Sequence, residues 1–544
     1  MPFQLPIEYR KCFPVQPSMI TDLELIATHD GAPCMYDCLY APKTEHARAM
    51  VVRSSTQFTD DTAFLGDTVA LLKKAEFRAY DTAPFLKAWQ AHHQTTEFNT
   101  LYHYIEYSKL QFLNAIPVVL LVLSVYSMMT PVLFLLSPIM ILLVPFALMK
   151  MSNKQVGWEE YKTVLYSVLQ KHALGALFLG VRGASPNQLF YLVFSAAFFC
   201  VQFYSNIQSC IQFYKSVKTV HLIIDETRDY VGHAMDMMKS VEAAAAATYD
   251  PFVGDLRKHY AVLEDLHKRL SKVKPFAYTA GEVTQLGTAR YLFYQLRNNA
   301  TWKESIEYSL DFVGYVENMA SLQKLFRAKV VNACKFGNEV KFSKAYYPPY
   351  PKHKKNSYAV TNSMITGPNA SGKTTFIKTA MLNVLFSQQV GVGFYKRATL
   401  RPYQELCCYL NIPDTSGRDS LFQAEARRCK EILEKIGDGH MLCIFDELFS
   451  GTNPFEASAS AYAFLDHLTK QPKVTFLLTT HFLDVCERMK GGARNMHMES
   501  RMVDGGIHYE YKFKKGVSKI KGGLQVLKDL GFPRSIIECA QKFA

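Results

Sequence analysis

The string Gly367-Pro368-Asn369-Ala370-Ser371-Gly372-Lys373-Thr374 constrains this chain more than any other feature. Two glycines at that spacing let the backbone turn tightly enough to aim successive N–H groups at phosphate oxygens. Lys373 brings a cation to the terminal phosphates, and Thr374 offers a hydroxyl to magnesium. The flanks agree with this reading. Ala359, Val360, Met364 and Ile365 form an apolar approach, while Phe376, Ile377, Ala380, Met381, Val384 and Leu385 recur with helical spacing. Strand, loop and helix in that order predict a βα unit with a nucleotide at its turn.

Such a unit needs an acidic strand beside it. Met441-Leu442-Cys443-Ile444-Phe445 is a run of five apolar residues that ends in Asp446 and Glu447. Asp446 is suited to hold magnesium, directly or through water. Glu447 is suited to orient and polarise an attacking water, because phosphoryl transfer depends chiefly on positioning and charge stabilisation. Val474 to Thr480 reads as a further strand, and it delivers His481 to a place where a side chain could sense the terminal phosphate.

At 544 residues the chain has room for three or four domains. Its net charge of +13 suits nucleic acid or an anionic membrane surface and does not choose between them. Twelve cysteines without a CxxC pair read as reduced thiols, as expected of a cytosolic catalytic domain. Met1 to Lys11 carries charges and prolines where a secretory signal needs an apolar run.

Between Lys109 and Lys150 lie forty residues without a charge. About twenty apolar residues cross a bilayer, so this stretch, interrupted at Thr130-Pro131, predicts a helical hairpin of two short spans over about 115–149. A second uncharged stretch, Gly183 to Tyr214, predicts a third apolar segment at about 187–207. A deeply buried hairpin of a large soluble protein would give similar patterns. Three full crossings would separate the N-terminus from the nucleotide site, so the expectation is a crossing hairpin with an interfacial or re-entrant third segment. Lys150, Lys154, Lys162, Lys171 and Arg182 in the connection would then lie on the cytoplasmic side with the N-terminus. From Ser216 to about Ala328 helix formers dominate with helical periodicity, and long helices are expected.

Three strings together resemble the MutS ATPases: Ile365 to Thr375 with Gly-Pro-Asn inside the P-loop, Phe445-Asp-Glu-Leu-Phe-Ser-Gly-Thr-Asn453, and Thr479-Thr-His-Phe482. Asp419-Ser420-Leu421-Phe422-Gln423-Ala424-Glu425 is similar to that family's trans-acting signature. The resemblance is closest from about Val340 to Ala544. It implies a homodimer in which Ser420 of one copy completes the phosphate site of the other, with Gly451, Thr452 and Asn453 in the dimer-facing loop. ATP and Mg2+ are the implied cofactors. Gly367 to Thr375 would hold the nucleotide, Thr374 and Asp446 the metal, and Lys373, Glu447, His481 and Ser420 would act in catalysis. No stretch resembling the family's mismatch-reading domain precedes the core-like residues at Thr21.

The expected fold is a C-terminal α/β P-loop NTPase domain of MutS/ABC type, preceded by an α-helical core and lever region interrupted by transmembrane helices. The expected divisions are 1–110 (helical core), 111–215 (membrane region), 216–339 (core and lever), 340–515 (ATPase) and 516–544 (dimerising helices). The functional reading is a membrane-anchored, dimeric MutS-like ATPase with its ATPase domain on the cytoplasmic side, moving helical arms and contacting nucleic acid without sequence preference. Two alternatives stand beside it. An ABC-type transporter subunit would need about six spans and a Leu-Ser-Gly-Gly-Gln signature, which the sequence lacks. A nucleotide-dependent membrane tether would need no turnover by Glu447.

Overall fold

The structure, a computed structural model, describes residues 2–28, 31–151, 157–171, 186–275, 283–350, 353–410, 420–503, 506–520 and 522–543. They divide into two compact units. One comprises Asp81–His233 and Ala261–Ile306, and the other Met1–Tyr80, Ala234–Tyr260 and Glu307–Ala544. Three of these four divisions fall inside long helices, where the sequence reading had set its boundaries elsewhere.

The first unit is helical. It contains α1 (Pro117–Met151), α2 (Trp158–Lys171), most of α3 (Pro186–Ala244), the end of α4 (Asp250–Leu270), α5 (Leu286–Asn298) and the start of α6 (Ala300–Arg327). The long helices expected after Ser216 are therefore present.

The hairpin expected within 115–149 is not, because α1 runs unbroken for 35 residues. The reason is local. A proline cannot donate to the carbonyl four residues back. Thr130 Oγ1 donates to Ser127 O at 2.7 Å, and Ser137 Oγ donates to Phe134 O at 2.7 Å. The carbonyls stranded by Pro131 and Pro138 are thus each taken by the hydroxyl just before the proline, and the helix continues. The apolar segment at 187–207 is likewise part of one 59-residue helix, α3. α1 and α3 run antiparallel, with the Phe134 and Phe199 rings 4.6 Å apart and Cys210 Sγ donating to Met128 O at 3.6 Å. Lys154 and Arg182 of the connection lie outside the described residues.

Arg290 of α5 roots this pair of helices. It is buried, and its guanidinium donates to Ser124 Oγ at 2.8 Å, Tyr102 O at 2.8 Å and His103 O at 2.6 Å. It also lies over the rings of Tyr104 and Phe213. Among the described residues no carboxylate pairs with it, so neutral oxygens and ring faces accommodate its charge.

The second unit is built on a six-stranded sheet of β1 (Ser363–Thr366), β2 (Glu405–Tyr409), β3 (Met441–Asp446), β4 (Val474–Thr479), β5 (Arg494–Val503) and β6 (Gly506–Lys515). The strand order is β6-β5-β1-β4-β3-β2; β6 is antiparallel to β5 and the other pairings are parallel. Parallel strands release their chains at one common edge, which is where ligands of such sheets bind. α7 (Lys373–Val390) follows β1, α8 (Leu421–Glu434) follows β2, α9 (Pro454–Thr469) follows β3 and α10 (Leu483–Arg488) follows β4. The central strands β1 and β4 are buried throughout, and β3 up to Phe445, because both faces are covered, on one side by Phe464, Leu465 and Leu468 of α9.

α7 is buried along nearly its whole length, polar residues included. Gln388 Nε2 donates to Thr59 O at 3.0 Å and Tyr403 O at 2.7 Å, while Gln389 Nε2 donates to Ser54 O at 2.8 Å and Gln57 O at 2.9 Å. Tyr36 OH donates to Gln389 Oε1 at 2.7 Å. Buried amides are tolerated when every donor finds an acceptor. The first eighty residues therefore cover the P-loop helix, whereas the sequence reading assigned 1–110 to the helical core.

Candidate active site

The expected P-loop leaves β1 at Thr366 and enters α7 at Lys373. Gly372 has φ +87°, which a side chain would strain, and a Cβ added at Gly367 would lie 2.7 Å from Ser371 Oγ. Ser371 Oγ is buried and has no partner among the described residues. A cradle that a Cβ would fill and an unpaired hydroxyl inside it fit an oxygen-rich anion such as phosphate.

Lys373 is buried and its Nζ donates to Gly367 O at 3.1 Å and Pro368 O at 3.4 Å. It stands 3.2 Å from His481 Nε2 and 4.0 Å from Glu447 Oε1. Burial lowers its pKa, and the nearby Glu447 and Asp446 partly restore it. His481 Nε2 lies 2.9 Å from Glu447 Oε1, and that hydrogen bond is the main reason the Glu447 carboxyl is held below its ordinary value. Glu447 itself sits at φ +52°, with its N–H donating to Thr479 O at 3.1 Å. A non-glycine residue in that region is strained, and such strain collects at functional sites.

Thr374 Oγ1 donates to Asp446 Oδ2 at 2.8 Å, and Thr479 Oγ1 donates to Asp446 Oδ1. One hydroxyl and one carboxylate oxygen, side by side beneath the P-loop, fit the sparse protein ligation that magnesium accepts when water and phosphate complete its shell. The structure thus brings Lys373, Thr374, Asp446, Glu447 and His481 together. Asn369, Ala370, Ser371 and Thr375 line the same cleft, of about 850 Å3.

Ser420 stands apart from this group. It is exposed at the N-cap of α8, its Oγ accepting from Gln423 N at 3.3 Å and its N–H donating to Gln423 Oε1 at 3.0 Å. Asp419 lies outside the described residues. Glu425, one turn on, is buried and accepts from Ser450 N at 3.0 Å, Ser450 Oγ at 3.0 Å and Gly451 N at 3.2 Å. It ties the α8 helix to the loop that follows Glu447, a role the motif string alone does not reveal.

Aromatic residues at the cleft were also missed in the sequence. Tyr346 stacks on His353 with centroids 4.0 Å apart, and Tyr350 and Tyr511 line the same space. Tyr511 lies over Gly372 and is held at φ +54° while Asn356 Nδ2 donates to its carbonyl at 3.0 Å. Rings beside a phosphate cradle can take a nucleobase by stacking. Their only sequence signal was a tyrosine-rich stretch before the P-loop, and Tyr511 comes from 138 positions beyond Lys373.

Residues 363–544 match the family model for MutS domain V. Over 247 residues the chain is 27% identical to a protein of Thermus thermophilus named Endonuclease MutS2, a match covering 44% of this chain and 32% of that protein. The chain thus matches about a third of the length of that curated relative. The cradle, the acidic strand and the histidine described above thus lie in or at the edge of a region similar to MutS domain V, a P-loop ATPase domain, at residues 363–544.

Proposed function

We propose that this protein is a membrane-anchored ATPase of MutS type, which hydrolyses ATP at a site shared between two copies and couples it to movement of its helices. The observation that carries the enzymatic part is the Lys373–His481–Glu447 contact set standing beside the Thr374–Asp446 pair. Bound MgATP supplies the phosphoryl group and a cation that offsets its charge. Lys373, Ser371 and the backbone of Gly367 to Gly372 bind the phosphates, and Thr374 and Asp446 hold the metal. Glu447 orients the attacking water and takes its proton, while His481 holds the Glu447 carboxylate in place. Nucleotide entry draws Lys373 away from His481 and Glu447, freeing the carboxylate for water. In Glu447→Gln, ATP turnover should fall by about 10²–10³-fold with ATP binding retained. Unchanged turnover would remove Glu447 from the mechanism.

The membrane part rests on exposed apolar length. From Val125 to Phe146 α1 advances ~32 Å, and from Leu189 to Ile211 α3 advances ~33 Å, each close to the ~30 Å of a bilayer's hydrocarbon. Phe190, at 75% exposure, is the most exposed large apolar side chain on these faces among the described residues. Two antiparallel crossings return the chain to the side it left, which keeps the even count that the sequence reading required. They would also put Lys150 and Lys162 on the side opposite the N-terminus, so the positive-inside tendency no longer supports a cytoplasmic ATPase. Only the location of ATP does. Recovery of the full chain in the soluble fraction without detergent would sink this part.

Contact with duplex DNA, without sequence preference, is the third part. It is supported by the net charge of +13 and by likeness to a protein named an endonuclease. Binding should weaken steeply with salt. Absence of binding to duplex, branched and random DNA at low salt would remove DNA as the partner.

A further inference from the structure

From Pro186 to Tyr214 helix α3 carries no charged side chain, and Lys215 is the first. Beside it lies a groove of about 330 Å3, lined on α3 by Gln208, Gln212, Lys215 and Thr219 and also by Leu101 and Tyr102. All six belong to the helical unit.

The groove is braced. Ser216 Oγ donates to Leu101 O at 2.9 Å, which ties α3 to the chain at Leu101. The buried Arg290 guanidinium holds the next two carbonyls, Tyr102 O at 2.8 Å and His103 O at 2.6 Å. The donors that line the groove are unspent: the Lys215 ammonium and the side-chain amides of Gln208 and Gln212 have no partner among the described residues. An exposed lysine alone is an ordinary solvated charge. Two unspent amides at the end of an apolar helix face are different, because removing them from water without an acceptor is costly.

Height along α3 selects the acceptor. Ile211 ends the bilayer-length face, and Lys215 stands four residues later, a rise of ~6 Å. Headgroups occupy ~5–8 Å on each side of the hydrocarbon, so Lys215 falls at the level of lipid phosphates when Leu189 to Ile211 lies in hydrocarbon. Val201, Tyr204, Gln208, Gln212, Lys215 and Thr219 recur at three- and four-residue spacing, which puts them on one face. That stripe passes from exposed apolar side chains through amides to an ammonium, the order of acyl chain, ester and phosphate in a phospholipid. The next charge on α3, Lys218, is also basic, and no acidic residue follows before Asp225. Charge at this level therefore favours an anionic headgroup.

We propose that this groove binds one anionic phospholipid, with its phosphate on Lys215 and Gln212, an ester oxygen on Gln208, and an acyl chain along Tyr204 and Val201. The proposal rests on the membrane reading above and adds a lipid class and a site to it. A free phosphate would meet the ammonium and use nothing below it.

The test begins with the full chain reconstituted into phosphatidylcholine vesicles and floated on a density gradient. It should rise with the vesicles; failure to rise removes the membrane reading, and the lipid site with it. The chain in neutral detergent is then titrated with dioctanoyl phosphatidylglycerol, dioctanoyl phosphatidylcholine or inorganic phosphate in a calorimeter. One phosphatidylglycerol should bind per chain, at least fivefold more tightly than phosphatidylcholine. Lys215→Gln should weaken that binding about fivefold and Lys215→Arg should restore it, while Lys218→Gln, the same loss of charge outside the groove, should stay within twofold of wild type. Melting temperatures without lipid should match, since Lys215 is exposed. If the chain floats but Lys215→Gln binds phosphatidylglycerol as wild type does, or Lys218→Gln weakens it equally, the groove is no lipid site and the membrane reading stands. Equal affinity for phosphatidylcholine overturns the proposal too, because the headgroup charge then plays no part. Inorganic phosphate should show no binding that Lys215→Gln removes, whatever it does at the P-loop; such binding would make this a site for free anions and overturn the lipid assignment.

Discussion

Strand β3 and helix α1 are nearly alike in apolar content and opposite in what surrounds them. Ile444 in β3 is 0% exposed, enclosed by neighbouring strands and helices of its own unit. Leu135 in α1 is 53% exposed, and the described residues do not cover its face. Hydropathy demands that both leave water. It does not say what replaces the water. In β3 the replacement is protein at close-packed density. In α1 the described residues put nothing over that face, and the hydroxyls of Thr130 and Ser137 take the carbonyls stranded by Pro131 and Pro138.

Truncation separates the two cases most strongly. Ile444→Ala should destabilise the ATPase unit by about 4 kcal/mol, whereas Leu135→Ala should change unfolding in detergent by less than about 1 kcal/mol. Equal costs, read from denaturant titrations, would show that α1 packs as a protein core. Arg290→Met comes next, at about 3 kcal/mol, because it strands the oxygens that now accept from the guanidinium. Its melting transition should drop while nucleotide affinity holds; loss of both together would mean the units do not melt independently. Ser137→Ala and Thr130→Val should each cost about 1 kcal/mol in α1, measured as thermal loss of helix in micelles. No change would remove hydroxyl rescue as the reason that the helix passes its prolines.

The smallest effect concerns charge. Burial raises the Asp22 carboxyl from 3.8 to about 6 despite Arg428 and Lys378 nearby. Between those values the folded protein binds more protons than the unfolded chain. The contribution of Asp22 is therefore full below about pH 4 and lost as the pH rises through about 6. Asp22→Asn should gain about 1 kcal/mol over wild type at pH 7.5, after allowance for partial exposure, and nothing near pH 4. A gain independent of pH would mean another group sets that slope.

Much of the nucleotide site was legible because its chemistry is local. Gly367, Gly372 and Lys373 must be close in sequence to bend one loop around phosphate, and Asp446 and Glu447 must end a strand. His481 was legible by order, since the strand carrying it follows the acidic one. Tyr511, Tyr346 and His353 were not, because a stacking surface needs only a ring face and carries no spacing. Glu425 was read as part of a string, and only its three donors show what it holds. The unbroken α1 was misread at Thr130-Pro131 for a physical reason: proline's missing donor is visible in a sequence, while its repair by a neighbouring hydroxyl depends on side-chain rotamers.

Sequence by itself determined that this chain carries a P-loop string between a strand and a helix, follows it with an apolar strand ending in two carboxylates, and contains two long uncharged stretches. Each follows from residue type and short-range spacing. Tertiary structure alone decided that β4 separates β1 from β3, that the first eighty residues rather than a separate helical core cover the P-loop helix, and that Tyr511 lies over Gly372. Those depend on which surfaces meet across hundreds of residues, and burial is a property of the meeting rather than of either segment.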